Sequence, residues 1–267
     1  MRQSRVTHVG PAQRPRDRAR PRPAARALLA LTLAPAMTLL ALAQGPRAAR
    51  AQEPAPVVYV YLHTDSKFAE LERVLKGKLP GLTVTVFGRF RDFEEAMTAR
   101  PPDAVLGVGA LLANLGVRPA LQGLRANQDW ETYALLSVGD AFERSVAGKA
   151  IGVVDLLGRQ ATQDFVATLL GVDPADIKVK RVTKREDLLP LLQLALADGV
   201  VAPAASVRDF TERSRLPLRI RDLPVVHVRL PAVGVRNPDV RERVVSQIRA
   251  LDAATNQMLG VDAWRVP

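Results

Sequence analysis

The chain has no cysteine among its 267 residues, and aromatic side chains make up only 4% of it. Without cysteine it has no disulfide, no thiol nucleophile, no thiolate metal site and no cysteine-linked lipid anchor. So few aromatic residues argue against a platform that stacks nucleic-acid bases. The sequence also lacks a phosphate-binding glycine loop and a Gly-x-Ser-x-Gly nucleophile elbow. These absences predict a protein that is not an enzyme and that needs no cofactor or metal.

The high positive charge of the chain belongs mostly to its first 51 residues. They contain ten Arg and a single Asp, and they carry +9 of the formal net charge of +11. A strongly basic protein would suggest nucleic acid or an anionic membrane as a partner. Because only +2 remains after residue 51, the sequence predicts no nucleic-acid partner for the folded part.

An apolar run from Ala27 to Ala43 follows the arginine-rich start. Ala49, Arg50 and Ala51 then fit the small-x-small pattern that precedes a signal-peptidase cleavage point. The run is shorter than the roughly 20 apolar residues that a membrane span needs. We therefore expect residues 1–51 to be a signal peptide and the mature protein to be periplasmic or secreted. An uncleaved N-terminal anchor is the alternative.

Strand and helix patterns alternate after residue 56. Strands are predicted over Val57–Leu62, Leu82–Phe87 and Ala104–Val108, with amphipathic helices from Phe68 and over Asp92–Ala99 between them. This βαβαβ order implies a parallel sheet with helices on its faces.

The same pattern recurs in the second half of the chain. Strands are predicted over Ala150–Val154, Ile177–Val182 and Gly199–Pro203, and a helix over Gln160–Leu170. Thr183 and Glu186 have the spacing of a capping box for the next helix, in which Pro190 would form a kink or delay the start. Asn237 and Pro238 open a last long helix that is expected to pack back on the first unit.

Five stretches, taken in their order along the chain, are similar to one known family. They are the strand end Pro102–Gly107, the crossover Leu121–Val138, the strand opening Gly148–Gly152, the return strand and helix Leu230–Glu242, and the tail Leu259–Trp264. Together they resemble the type II periplasmic solute-binding proteins, specifically the phosphonate-binding-like proteins of ABC importers. The resemblance implies an α/β fold of two lobes, each a mainly parallel sheet flanked by helices.

The resemblance also implies a division of the chain. After the signal peptide, residues 52–138 would form the first part of lobe 1, residues 139–224 lobe 2, and residues 225–267 the return to lobe 1. A protein of this family would capture a small anionic or zwitterionic ligand between its lobes, as a monomer. It would then present the ligand to an ABC permease or a sensor in the inner membrane.

One loop departs from the family pattern. In phosphonate-binding members the loop after the first lobe-2 strand is rich in Ser and Thr, whereas residues 155–162 here are mostly Leu, Gly, Arg and Gln. Arg159 would still offer a planar fork to a carboxylate or phosphate. The lost hydroxyls motivate an alternative, a ligand-free module that mediates protein interaction or sensing in the periplasm.

Ligands of open α/β sheets bind beyond the carboxyl ends of the strands. The loops at these ends supply the predicted ligand-binding residues, which are Thr64, Asp65, Ser66, Gly109, Gly158, Arg159, Gln160, Thr162 and Ser206. Other roles stay open for some of them: helix capping for residues 64–66 and Ser206, close packing for Gly109, and a solvated surface charge for Arg159.

His63 follows the first strand, where an acid–base or metal-binding group would face the ligand. Combined with Asp155 and either Ser66 or Ser137, it would complete a Ser–His–Asp arrangement. A periplasmic hydrolase is therefore a third and weaker hypothesis.

Overall fold

The computed structural model describes most of the chain after the predicted signal peptide. The described residues are 54–64, 66–139, 142 and 145–267. The predicted signal peptide over residues 1–51 and the predicted site residue Asp65 lie outside them. No helix within these ranges has the length and apolar character needed to cross a membrane.

The first part of the described chain alternates strands and helices. Its elements are β1 (Val57–Tyr61), α1 (Phe68–Lys78), β2 (Thr83–Val86), α2 (Phe90–Ala99), β3 (Ala104–Val108) and α3 (Gly109–Asn114). Strand β1 pairs in parallel with both β2 and β3, which confirms the predicted βαβαβ unit. The short helix α3 was not predicted, and Gly109, expected in a loop, is its first residue.

The remaining elements at first alternate between strands and helices in the same way, and the chain then returns to sheet one through β10. They are β4 (Pro119–Leu124), β5 (Trp130–Val138), β6 (Ala150–Val154), α4 (Arg159–Leu170), β7 (Lys178–Val182), α5 (Leu188–Gln193), β8 (Gly199–Pro203), α6 (Val207–Arg213), β9 (Leu218–Arg229), β10 (Pro231–Val235), α7 (Arg241–Arg249), α8 (Ala253–Met258) and β11 (Ala263–Arg265). Short 3₁₀ turns precede α5, α6 and α7.

The strands form two mixed sheets. Sheet one has the order β2-β1-β3-β10-β4-β11, and sheet two has the order β7-β6-β8-β5-β9. In each sheet three parallel strands are followed by an antiparallel strand from the other part of the chain, β10 in sheet one and β5 in sheet two. The predicted two-sheet α/β fold is therefore confirmed, with mixed rather than mainly parallel sheets.

The chain passes from sheet one to sheet two through a tight turn. The stretch predicted as one crossover strand, Leu121–Val138, is instead two strands, β4 and β5. Between them, Ala126 (φ 49°) and Asn127 (φ 65°) are left-handed, and Arg125 and Gln128 form an isolated bridge. Two such residues make the kind of turn that matches the twist of paired strands. Strand β5, which the predicted boundary at residue 138 assigned to lobe 1, pairs within sheet two.

The start of α5 differs from the prediction. The Thr183–Glu186 capping box is wrong, because a 3₁₀ turn over Arg185–Asp187 follows Lys184 without a side-chain cap, and α5 begins only at Leu188. Pro190 is the third residue of α5, a first-turn position at which the missing proline N–H costs no helical hydrogen bond.

The last predicted helix is shorter than expected and is divided. The Asn237 side chain accepts a hydrogen bond from the Asp239 N–H, and a 3₁₀ turn separates this cap from α7. Helix α7 ends at Arg249, and α8 follows as a separate helix. Val244 and Ile248 of α7 are fully buried in the same core cluster as Leu71 and Leu75 of α1, which confirms the packing on the first unit.

Candidate functional site

A cavity of about 370 Å³ lies between the two sheets. Its wall includes residues at the carboxyl ends of β1, β3, β6 and β8, the position that the strand-end rule predicts. The volume falls in the lower part of the range of ligand pockets, about 300–1,000 Å³. The polar side chains on its wall are His63, Thr64, Ser66, Arg125, Glu131, Tyr133, Arg185, Ser206, Gln257 and Asp262.

Three of the predicted site residues line this cavity: Thr64, Ser66 and Ser206. The helix-capping role considered for them is wrong. Helix α1 follows Lys67 and α6 follows Ser206, and neither helix has a side-chain cap. Thr64 only accepts a local hydrogen bond from the Ser66 N–H, with 3.3 Å between N and Oγ1.

The other described candidates are absent from the cavity wall, so their ligand role stays a prediction. A Cβ on Gly109 would lie 2.2 Å from Cβ of Arg229, which favours the close-packing role. Gly158 has φ 82° and lies against the Phe90 ring, where a Cβ would come within 2.6 Å. Arg159 is exposed, and the equally exposed Gln160 donates to Asp164 over 3.1 Å.

Thr162, another predicted residue, is fully buried and serves the loop before α4. Its hydroxyl donates to Oδ1 of Asp155 over 3.1 Å and accepts from the Leu157 N–H. The same Oδ1 accepts the Gly158 N–H at 3.0 Å, and Oδ2 forms an ion pair with Arg181 at 2.8 Å. The N-terminus of α4, where an anion would be favoured, thus holds the chain's own carboxylate.

Hydrogen bonds at Asp155 also connect the two sheets. The Tyr61 hydroxyl donates to the main-chain carbonyl of Asp155. Nε2 of His63 lies 3.0 Å from that carbonyl oxygen and 3.0 Å from the Tyr61 hydroxyl. Arg185 donates to the His63 carbonyl over 3.3 Å. The end of β1 and the residues just after it are therefore tied to loops of sheet two.

An apolar contact reinforces this connection. Leu156 and Leu157, in the loop after β6, are 6% and 7% exposed and belong to a core cluster on one face of sheet one. Their partners there include Tyr61, Phe93 and Leu111. The leucines that replace the family's hydroxyl residues therefore pack the second half of the chain against the first.

The hydrolase arrangement considered above is not formed among the described residues. His63 contacts the main-chain carbonyl of Asp155, whereas the carboxylate of Asp155 is engaged by Gly158, Thr162 and Arg181. The Ser137 hydroxyl faces the Gly139 carbonyl instead of an imidazole. In the same part of the chain, no cluster of three His, Asp or Glu side chains is placed to hold a metal ion.

A second polar group, missed by the sequence analysis, lies where the chain crosses between the sheets. The Arg125 guanidinium donates to Oε2 of Glu131 at 2.9 Å and to the Gly260 carbonyl. Burial raises the pKa of the Glu131 carboxyl, although Arg125 and Arg185 act to lower it. Burial also raises the pKa of the nearby Tyr133 hydroxyl. Arg125 and Arg185 both line the cavity, so two guanidinium groups lie near Glu131.

The half-buried imidazole of His63 predicts how stability depends on pH. Burial lowers its pKa to about 4, although the nearby Asp155 acts to raise it; an unfolded chain has a value of about 6.5. Between these two values the unfolded state binds more protons, so stability is fully present above pH 6.5 and falls on acidification towards pH 4. We expect His63 to account for up to about 3 kcal/mol of this loss.

Urea unfolding of the wild type and of His63→Gln between pH 4 and pH 7.5 would measure this contribution. The difference between the two proteins separates His63 from the carboxylates that titrate in the same range. The groups that face the imidazole, Tyr61, Asp155 and Arg185, are the same in both proteins. Identical pH slopes would contradict the assignment.

Comparisons with known proteins find the fold but no close relative. No protein-family model and no curated protein matches the chain. A Xanthomonas citri protein bound to ATP is 14% identical, with 79% of this chain and 90% of that chain covered and a TM-score of 0.55. The same protein bound to chloride gives 14% identity, 78% and 91% coverage, and a TM-score of 0.56.

A binding-protein component of an ABC phosphonate transporter from Pseudomonas aeruginosa is also similar in structure. It is 13% identical, with 80% of this chain and 82% of that chain covered and a TM-score of 0.54. At such identities the likeness shows the fold alone. The chain therefore has the α/β fold of the periplasmic binding proteins.

Proposed function

We propose that the protein is an exported solute-binding protein that holds one small anionic or zwitterionic ligand between its two sheets. The observation that supports this most directly is the cavity at the strand ends of both sheets, with Arg185, Ser206 and Thr64 on its wall. The periplasmic-binding-protein fold agrees with such a role. Delivery to an ABC-type importer is part of the proposal.

Arg185 is the proposed contact for the anionic group of the ligand. It is half-buried at the start of the 3₁₀ turn before α5, and it lines the cavity. A guanidinium carries five N–H donors and can serve several acceptors at once. Arg159, the candidate from the sequence, is exposed and is not part of the cavity wall.

Arg185→Gln is expected to weaken binding of an anionic ligand by about 10- to 100-fold, because a charge-assisted hydrogen bond contributes roughly 1.5–3 kcal/mol. Titration calorimetry with the co-purified ligand would measure the change. Arg159→Gln is the matched control and should leave affinity unaltered. If only Arg159→Gln reduced affinity, the ligand would bind at the α4 loop instead.

Native mass spectrometry of protein purified gently from an exported preparation tests the function itself. A bound small molecule would be seen as added mass, and the protein mass would show whether the chain begins at Gln52. A protein without added mass, combined with a thermal-shift screen in which no anion, amino acid or sugar raises the melting temperature, would refute the binding function.

The ligand-free module remains a second candidate because of one observation. Leu156 and Leu157 join the two halves through a buried apolar contact that needs no solute. A protein that is closed in this way can present a fixed surface to a partner without a solute. The mass-spectrometric and thermal-shift results described above separate the two candidates.

A further inference from the structure

Five exposed arginines lie at one end of sheet one. Arg100 comes shortly before β3, Arg118 directly before β4, and Arg236 directly after β10. Arg241 and Arg243 belong to the first turn of α7. None of the five has an ion-pair partner among the residues that the structure describes. Their guanidinium groups are therefore available to an external anion.

Strand pairing brings these arginines to the same end of the sheet. Strand β10 runs antiparallel to β3 and β4, so its carboxyl end lies beside the amino ends of both. The Arg236 N–H donates to the Asp103 carbonyl over 2.8 Å, and Gly234 lies opposite Pro119. We call this end, with its five arginines, the basic pole. The cavity lies at the other end of the sheet, beyond the carboxyl ends of β1 and β3.

Three carboxylates lie near these arginines without cancelling their charge. Oδ1 of Asp103 accepts from the Asn237 side-chain amide at 2.9 Å, and Oδ2 accepts from the Val57 N–H at 2.8 Å. Both of these donors are neutral. Asp239 and Glu242 are exposed, in the turn before α7 and in its first turn. The arginines outnumber the carboxylates, so the basic pole stays positive.

The chain also enters the folded unit at the basic pole. Strand β1 is parallel to β3, with Val58 opposite Ala104, so the amino end of β1 lies there. Pro54 comes three residues before this strand. The segment over residues 1–51 is therefore joined to the fold at the basic pole. If that segment were retained as an anchor, it would hold this pole against the bilayer.

The composition of the basic pole favours a lipid surface over a protein partner. Protein interfaces generally have an apolar centre, whereas anionic headgroups attract arginine without one. In the described part of the chain, the exposed large apolar side chains lie outside these loops: Leu194, Leu196, Ile220, Val225 and Val266.

We infer that the basic pole binds the surface of an anionic phospholipid membrane. Its guanidinium groups would donate charge-assisted hydrogen bonds to the headgroup phosphates. This interaction goes beyond the proposed binding of a solute and does not depend on it.

Co-sedimentation with vesicles tests the inference. The mature protein from residue 52 is used, because residues from Glu53 onward form one compact unit and an apolar leader would insert by itself. It is expected to sediment with vesicles of phosphatidylcholine and phosphatidylglycerol in equal parts, and not with phosphatidylcholine alone. Binding should weaken as salt is added, because salt screens exposed charges.

Variants assign the binding to the basic pole. Combining Arg118→Gln, Arg236→Gln and Arg241→Gln should reduce the affinity for the anionic vesicles about tenfold or more. Lysine at the same three positions keeps the charge and should retain most of the binding. The matched control, shown by its exposed positions away from the pole, combines Arg89→Gln, Arg215→Gln and Arg221→Gln.

Three results would overturn the inference. The first is equal binding to both kinds of vesicle, or binding to neither. The second is a glutamine variant of the basic pole that binds as tightly as the wild type. The third is an equal loss in the control, which would show that binding follows net charge and not this pole. Melting temperatures of all variants confirm that each one is folded.

Discussion

Replacing Leu156 and Leu157 together by Ser is expected to lower the free energy of unfolding by about 4–6 kcal/mol and to let the two sheets separate. Each large-to-small change of a buried Leu costs roughly 2–5 kcal/mol. Both side chains are less than 9% exposed, in a cluster that joins strands of sheet one to the loop after β6 and to α4. A Ser hydroxyl at these positions would also lack a hydrogen-bond partner when the sheets are closed.

Two measurements check this prediction. Urea unfolding gives the loss of stability, and small-angle scattering gives the radius of gyration, which should increase as the sheets separate. Leu194→Ser with Leu196→Ser is the matched control, because these leucines are 68% and 54% exposed and should contribute little. An unchanged radius with a loss below about 1 kcal/mol would show that Leu156 and Leu157 do not hold the sheets together.

The strands and helices of the first unit were predictable because their signals are local. Val57–Tyr61 is a continuous β-branched and aromatic run, and the helix that follows buries Leu71 and Leu75 at helical spacing. The turn at Ala126 and Asn127 was not predictable, because Ala rarely adopts a left-handed conformation. Without that turn, β4 and β5 look like one strand.

Among the site residues, too, those with a local signal in the sequence were predicted and those that depend on distant strand pairing were not. Thr64, Ser66 and Ser206 were found because they follow strands directly, and the strand-end rule needs only the order of elements. Glu131 and Tyr133 were missed because their position depends on β5 inserting beside β8, a pairing between residues far apart in the chain. The pattern of apolar residues within β5 does not indicate which strand β5 pairs with.

The loop over residues 155–162 shows why its low content of hydroxyl residues did not predict the roles of the residues that replace them. The lost hydroxyls suggested a weakened anion site, and Arg159 and Gln160 remained as candidates because they are polar. In the structure both are exposed, while Asp155, the first residue of the loop, occupies the helix N-terminus. The sequence lacked the information that Arg181, on the neighbouring strand β7, would neutralise this carboxylate.

Asp155→Ala is expected to destabilise the protein by about 3–5 kcal/mol, the cost of leaving Arg181 without its partner and the Gly158 N–H and the Thr162 hydroxyl without their acceptor. The Arg181 and Asp155 side chains are only 27% and 18% exposed, so solvent screens their interaction weakly. Chemical denaturation would measure the loss. Asp155→Asn, which keeps the shape and one acceptor, should lose less.

Asp155→Ala also tests whether the Asp155 carboxylate occupies a position where an external anion could bind. Removing the side chain leaves the Gly158 N–H, the Thr162 hydroxyl and Arg181 facing a vacated position, so a small external anion should bind there. Formate or acetate is expected to raise the melting temperature of Asp155→Ala more than sodium chloride of equal ionic strength does, with no such difference in the wild type. Because ligand binding stabilises by mass action, the gain should increase with anion concentration. If formate stabilised the variant no more than chloride did, the prediction would be wrong. Asp155 would then have only a structural role, and the start of α4 would not be an anion site that the chain's own carboxylate fills.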